Sequence, residues 1–274
     1  MMEALQFEFM RNAFVAAVLA SICCGLIGVY IVFKRMMGLS GGIAHAAFGG
    51  IGLGYFLGVN PLFTVLPFSI AAALGIGFVS RKSKLPEDTT IGIFWSIGMA
   101  LGIILTKLTP GYAPDLFGYL FGNILTVSMS DIWLMLVLDI LIVLIVVWLY
   151  NDLLSFSFDE EFARVSGVAV NFLYYTLLCL VALSVVILIK VVGMILVIAL
   201  MTLPVAIAKQ YTHSFKKTIY LSIVFGIIFT ASGIWISYCY NLAPGATIIL
   251  TLGLAFLLSS IYKSISHQFS KARR

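Results

Sequence analysis

Residues 13–33 read AFVAAVLASICCGLIGVYIVF and contain no charged side chain. The hydrocarbon core of a bilayer is about 30 Å thick, and a helix of about 20 apolar residues crosses it. The segment therefore predicts a membrane-spanning helix. It is longer than the apolar core of a signal peptide, and Glu3 and Glu8 precede it in place of a positive cluster, so we interpret it as a true first span.

Eight further apolar segments follow, and the connections between them leave no room for a sizeable soluble domain. They are roughly 40–58, 62–80, 90–108, 131–150, 172–189, 191–208, 217–239 and 244–262. Backbone in lipid must satisfy its own hydrogen bonds, and runs of this length predict helices rather than barrel strands. The chain is 62% hydrophobic and only 10% charged, whereas soluble domains carry about 25% charged residues. We expect one all-α polytopic domain over 1–274, with nine spans, or eight if the first crosses only part way.

The positive charges predict the orientation of these spans. All 16 basic residues except Arg11, Lys107 and Lys190 fall on one side of a nine-span topology. Lys and Arg collect in cytoplasmic loops, so this side and the C-terminus are expected in the cytoplasm. The formal charge of +5 is then a consequence of topology and indicates no nucleic-acid partner.

Two connecting segments differ from simple spans and loops. Residues 110–130, PGYAPDLFGYLFGNILTVSMS, are too polar for a full crossing and predict a re-entrant or outer-surface segment. Residues 151–171 form an acidic loop on the cytoplasmic side. Within a later apolar run, Gly193 and Pro204 predict bending or local unwinding.

The stretch GLSGGIAHAAFGGIGLG, residues 38–54, holds the first candidate site. Small residues at 42, 46, 50 and 54 lie on one helix face, where another backbone can approach closely. His45 is the only histidine inside a predicted span. It is either a packed side chain bonded to a backbone carbonyl or a ligand for a metal in transit, and the cost of an ionisable group in lipid favours the functional interpretation.

Residues 38–41, Gly-Leu-Ser-Gly, offer a rival hypothesis. They match the G-x-S-G pattern around the nucleophile of intramembrane serine proteases, which also needs a histidine within hydrogen-bond reach of the serine. A secondary carrier is the other alternative, but no predicted span holds a pair of carboxylates away from its ends to relay protons.

Residues 157–168 predict a short cytoplasmic helix with an exposed apolar side. Asp159 suits the N-cap position, and Gly167 suits the end of the helix. Phe158, Phe162 and Val165 align at helical spacing and form what we call the apolar stripe. The stripe could dock on a soluble partner or lie on the lipid surface; the acidic first turn disfavours anionic lipid and favours docking.

Several separated motifs resemble, in order, those of the membrane permeases of bacterial zinc and manganese ABC importers, the ABC-3 family. They are Lys34-Arg35-Met36 with Ala44-His45-Ala46; Glu87-Asp88-Thr89 with Ile91-Gly92-Ile93; Asp115-Leu116, Tyr119-Leu120-Phe121-Gly122 and Val127; Phe158 to Val168; Val192-Gly193; Leu203-Pro204; and Pro244-Gly245. The resemblance covers nearly the whole chain.

The resemblance implies a type II importer-like permease in a bacterial plasma membrane. Two copies pair, two cytoplasmic ATPases bind beneath them, and an extracellular or periplasmic binding protein delivers zinc or manganese, with iron also compatible. No permanent cofactor is implied. The chain has no G-x-x-x-x-G-K-[ST] motif, so a separate chain would hydrolyse ATP and this one is predicted not to be an enzyme.

The resemblance also assigns roles to residues. His45 would contact the ion, with Gly41, Asp115 and Asn123 as further positions on its path. The residues that would couple to the ATPase are Phe158, Asp159, Glu160, Glu161, Phe162, Ala163, Arg164, Val165 and Gly167. Many members carry Asp at the positions of Gly41 and Asn123, so two expected carboxylates are missing here and the identity of the metal stays open.

Overall fold

The computed structural model describes residues 6–83, 85–110, 118, 122 and 124–272, with backbone alone at 190 and 266–272. These ranges contain helices and no strand. The α-helices are α1 Glu8–Phe33, α2 Met37–Ala46, α3 Phe48–Leu57, α4 Pro61–Ser83, α5 Glu87–Leu108, α6 Met129–Trp148, α7 Tyr150–Phe158, α8 Glu160–Val165, α9 Val170–Val192, α10 Met194–Tyr211, α11 Phe215–Tyr240 and α12 Pro244–Ala272. The predicted all-α membrane bundle is confirmed.

Eight helices of the described chain are long and apolar enough to cross a membrane. They are α1, α4, α5, α6, α9, α10, α11 and α12. The remaining predicted span, 40–58, is divided at Ala47 into α2 and α3, each of 10 residues. Ala47 keeps helical dihedral angles (φ −56°, ψ −19°), so the interruption is slight. The structure thus finds the irregular span in the second segment, whereas α1 is a full 26-residue helix.

Two helices form the centre of the bundle. In both α1 and α9, 72% of the most apolar window is buried inside the protein, against 22% in α5 and α12. Small residues dominate the buried face of α1 and leave room for neighbouring backbones; they are Ala13, Ala16, Ala17, Ala20, Gly25 and Gly28. The outer helices therefore present much of their apolar surface to lipid.

The α2–α3 segment packs closely between α4 and α5. A Cβ atom added at Gly50 would lie 2.8 Å from Val65 Cα in α4, and one at Gly54 would lie 2.7 Å from Pro61 Cα. On the other side, a Cβ at Gly98 of α5 would lie 2.5 Å from Ala46 Cα. The small residues predicted to admit another backbone do so, and they fix the position of the element that carries His45.

Gly193 separates α9 from α10, in agreement with the local unwinding predicted at this residue. Its φ of +80° and ψ of 159° lie in a region that glycine alone enters readily. Pro204, in contrast, lies inside α10, which continues through it. The backbone of Gly122 lies against Val192 and Gly193, so the predicted outer segment 110–130 meets the bundle at this break.

Most of that outer segment lies outside the described residues. Its end forms a 3-10 turn at Ile124–Thr126. Ser128 then caps α6 in a reciprocal arrangement with Asp131, whose carboxylate accepts a hydrogen bond from the Ser128 hydroxyl at 2.6 Å. The cap satisfies backbone donors at the start of a helix that enters the bundle.

Candidate functional site

A short helix outside the spans, α8, carries the clearest functional surface. Asp159 is its N-cap, and its Oδ1 accepts a hydrogen bond from the Phe162 backbone N–H at 2.9 Å. The turn that follows places Gly167 at φ +83°, where a side chain would be strained. The cap and the end of the helix thus lie where the local signals in residues 157–168 predict them, whereas Phe158, predicted on the same helix, is the last residue of α7.

The apolar stripe faces away from the bundle. Phe158, Phe162 and Val165 are 62%, 64% and 89% exposed, whereas Ala163, on the opposite side of α8, is fully buried. Phe158 keeps one edge on the bundle, with its ring centroid 5.4 Å from that of Phe33. Phe158 ends α7, and Phe162 and Val165 lie on α8. Apolar side chains exposed together outside the membrane spans are typical of a docking surface for another protein.

Glu160 anchors α8 to the bundle. Its carboxylate pairs with Lys34 Nζ at 3.0 Å, Arg81 Nη2 at 2.9 Å and Arg164 Nη2 at 3.5 Å. Burial alone would raise the pKa of Glu160, but the hydrogen bonds and charges of Lys34 and Arg81 outweigh it and hold the pKa below its usual value. Neither Lys34 nor Arg81 could be assigned to Glu160 from the sequence, because they lie 126 and 79 residues away.

The ion pairs give a pH-dependent contribution to stability. Because the pKa of Glu160 is lowered on folding, the contribution is complete above its ordinary value of 4.5 and disappears as the pH falls through the folded-state value. We expect Glu160→Gln to lower the free energy of unfolding by about 1 kcal/mol at neutral pH. Thermal unfolding of both proteins in detergent should show this difference at neutral pH, and the difference should shrink as the pH is lowered below 4.5. A difference that stays constant as the pH is lowered would contradict it.

His45 lies on α2 and stacks on Trp95 of α5. The ring centroids are 4.1 Å apart and the rings are almost parallel, at 6°. The Nδ1 atom of His45 is buried and has no hydrogen-bond partner within the described chain. A packed histidine bonded through Nδ1 to a backbone carbonyl is therefore not what is found.

The other predicted path residues do not complete a ligand set. A Cβ added at Gly41 would lie 2.7 Å from Ile198 Cδ1 of α10, so this position packs against a helix. Asp115 and Asn123 lie outside the described residues. Across the described ranges, no group of three or more His, Cys, Asp or Glu side chains is placed to hold a metal ion. Among the described residues, His45 is therefore not accompanied by a set of such side chains.

Ser40 has none of the features of a protease nucleophile. Its side chain is fully buried, and its hydroxyl donates to the Met37 carbonyl at 3.3 Å. The unbonded Nδ1 of His45 shows that the serine and this histidine form no catalytic pair through that atom. The structure gives no support to the intramembrane protease hypothesis.

Asp139 is a buried group that sequence reasoning missed. It lies mid-way along α6, is 4% exposed, and neither carboxylate oxygen has a hydrogen-bond partner in the described part of the protein. Cys23 of α1 is a close neighbour. A lone ionisable residue inside an apolar run was the available signal, since such residues are costly in lipid.

These features define a class of protein: a polytopic helical membrane protein with a short helix outside its spans that exposes apolar side chains, and with no sequence motif for binding nucleotide. The chain belongs to the ABC 3 transport family, whose profile matches residues 6–263.

Similar proteins cover almost the same length. An uncharacterized membrane protein of Synechocystis is 47% identical over 96% of this chain and 94% of its own. The manganese transport system membrane protein MntC of Listeria monocytogenes is 37% identical over 94% and 92%. Among solved structures, PsaBC from Streptococcus pneumoniae in complex with Fab superposes with a TM-score of 0.84, at 36% identity, over 94% of this chain and 93% of that one. The family resemblance seen in the sequence is confirmed.

Proposed function

We propose that the protein is the membrane-spanning permease of an ATP-driven importer for a divalent transition metal. The observation that carries the proposal is α8, a short helix that displays Phe162 and Val165 to solvent while Glu160 ties it to the bundle. A chain without a nucleotide-binding motif needs such a surface to receive force from an ATPase.

The proposed assembly contains two copies of the chain, two cytoplasmic ATPases and an extracellular metal-binding protein. Its orientation in a bacterial plasma membrane follows from charge. Lys34, Arg81 and Arg164 converge on Glu160 at one end of the bundle, and a concentration of basic residues favours the cytoplasmic side. The C-terminus then lies in the cytoplasm too.

We propose manganese or zinc as the cargo. Manganese is supported by the Listeria relative, a manganese transport system membrane protein that is 37% identical over nearly all of this chain. The free imidazole nitrogen of His45 suits either ion, and imidazole is a more typical ligand for zinc. A path with few protein ligands also suits transport, because an ion bound too firmly could not leave.

Transport by the reconstituted complex tests this proposal. The permease, purified with its ATPase partner, is placed in liposomes with the binding protein outside and ATP supplied to the ATPase. We expect uptake of radioactive manganese or zinc only when ATP and the ATPase are both present. Uptake by the permease alone, driven by an ion gradient, would contradict the proposal and indicate a secondary carrier.

His45→Ala tests whether this side chain contacts the ion. Because Ala offers no ligand, we expect uptake at low metal concentration to fall by about tenfold or more, with the complex still assembled. His213→Ala is the matched control, since His213 is exposed in the loop between α10 and α11. Normal uptake by His45→Ala over a range of metal concentrations would remove this residue from the path.

A further inference from the structure

Glu160 joins elements that are far apart along the chain. Lys34 lies between α1 and α2, Arg81 lies in the last turn of α4, and both pair with the one carboxylate at 3.0 and 2.9 Å. Arg164, one turn further along α8, adds a looser contact at 3.5 Å. The side chains of Lys34, Arg81 and Glu160 are 14%, 27% and 32% exposed, so solvent screens their pairs only in part.

Other contacts hold the two principal cations in place. Lys34 Nζ lies 3.9 Å above the ring of Phe156 and 3.4 Å from its carbonyl oxygen. Arg81 donates to Asn171 Oδ1 at 2.6 Å, and its guanidinium lies 4.0 Å above the ring of Tyr174. The cations are thus restrained on more than one side, and a displacement of Glu160 would be transmitted to them instead of being absorbed by free side-chain rotation.

Both cations lead to the segment that carries His45. Lys34 is three residues before the start of α2, and the link includes Arg35, whose φ of +60° is uncommon for a residue other than glycine. Arg81 lies in the last turn of α4, and the first part of the same helix packs on α3 through the close contact of Gly50 with Val65. A movement of α8 can therefore reach the α2–α3 segment from its beginning and from its flank.

We infer that Glu160 is the positioning residue that transmits movement of α8 to the α2–α3 segment. The inference rests on the proposed function, since it requires an ATPase to move α8. It separates two tasks within one short helix. The apolar stripe binds the ATPase, whereas Glu160, on the side facing the bundle, converts the position of α8 into the position of α2.

The ratio of metal ions imported to ATP molecules hydrolysed tests this inference. Glu160→Gln keeps the size of the side chain and the apolar stripe but removes the charge. We expect the ATPase to co-purify and hydrolyse ATP within about twofold of the unchanged complex, while ions imported per ATP fall at least about fivefold. Asp152→Asn is the control, because Asp152 is an exposed acid of α7. An unchanged ratio for Glu160→Gln would overturn the inference.

A second set of variants separates transmission from a general loss of stability. Lys34→Gln should lower the ratio as well, and the double variant with Glu160→Gln should be no worse than Glu160→Gln alone, because both act through one contact. Ratios that multiply in the double variant would overturn the inference. If Glu160→Gln does not insert into the membrane, Lys34→Gln and Arg81→Gln provide the test. An unchanged number of ions imported per ATP in both variants would then overturn the inference. Failure of the proposed function is distinguishable, because the unchanged complex would then show no ATP-dependent uptake.

Discussion

Replacement of Phe162 by Asp is expected to release the ATPase while the membrane bundle stays folded. Phe162 is 64% exposed, so the substitution removes little packing within the permease. In the complex, it would remove an aromatic anchor and place a charge against an apolar surface. Each effect is costly, and together they should weaken association by about 3 kcal/mol or more, over a hundredfold in Kd.

Co-purification with the ATPase measures this effect. Tagged permease carrying Phe162→Asp should elute at the same size in detergent as the unchanged permease, but without the ATPase. Leu85→Asp is the matched control, because Leu85 is also an exposed apolar residue and lies between α4 and α5, at the same end of the bundle as Arg81. A stable complex with normal ATP hydrolysis would show that the apolar stripe is not the docking surface.

Local signals in the sequence were enough to predict α8. Asp159 as cap, Gly167 as stop and the spacing of Phe162 and Val165 all act within one or two helical turns. Such features depend on neighbours in the chain, so they can be read before the fold is known. The contacts of Glu160 could not be predicted, since they require knowing that the ends of α1 and α4 meet the start of α8.

The interrupted second span shows a different limit on what can be predicted from the sequence. Residues 40–58 are mostly apolar and predict one helix, yet the helix ends at Ala46 and begins again at Phe48. The segment is rich in glycine, which weakens the preference for a continuous helix. Where the interruption falls is decided by packing against α4 and α5, and a hydropathy pattern does not contain that information.

His45 illustrates what composition can and cannot say about a site. Its isolation inside an apolar run indicated a special role, because an ionisable group in lipid is costly. The stack on Trp95 and the unbonded Nδ1 could be learned only from the arrangement of α2 against α5. Asp139 satisfied the same criterion and was passed over, since it stands alone in α6 with no motif around it.

Gly102→Ala is expected to have the second large effect, through the packing of α5 against the α2–α3 segment. The added Cβ would lie 2.5 Å from the Phe48 carbonyl oxygen and 2.8 Å from the Phe48 carbonyl carbon. Both are backbone atoms, so relief requires α3 and α5 to move apart. Overpacking of this kind costs about 1–3 kcal/mol, and the displaced segment also carries His45, so uptake should fall with stability.

Gly92→Ala provides the comparison within the same helix. No atom lies within 4 Å of a Cβ added at Gly92, and Ala is favoured over Gly in helices by up to about 1 kcal/mol. Thermal unfolding in detergent should therefore give Gly102→Ala a melting temperature well below that of the unchanged protein. The melting temperature of Gly92→Ala should be equal to that of the unchanged protein or higher. If both variants were equally stable, the close approach of α3 and α5 would not be important for the stability of the helix bundle. The α2–α3 segment that carries His45 would then lack the rigid packing on α5 that transmission from Glu160 needs.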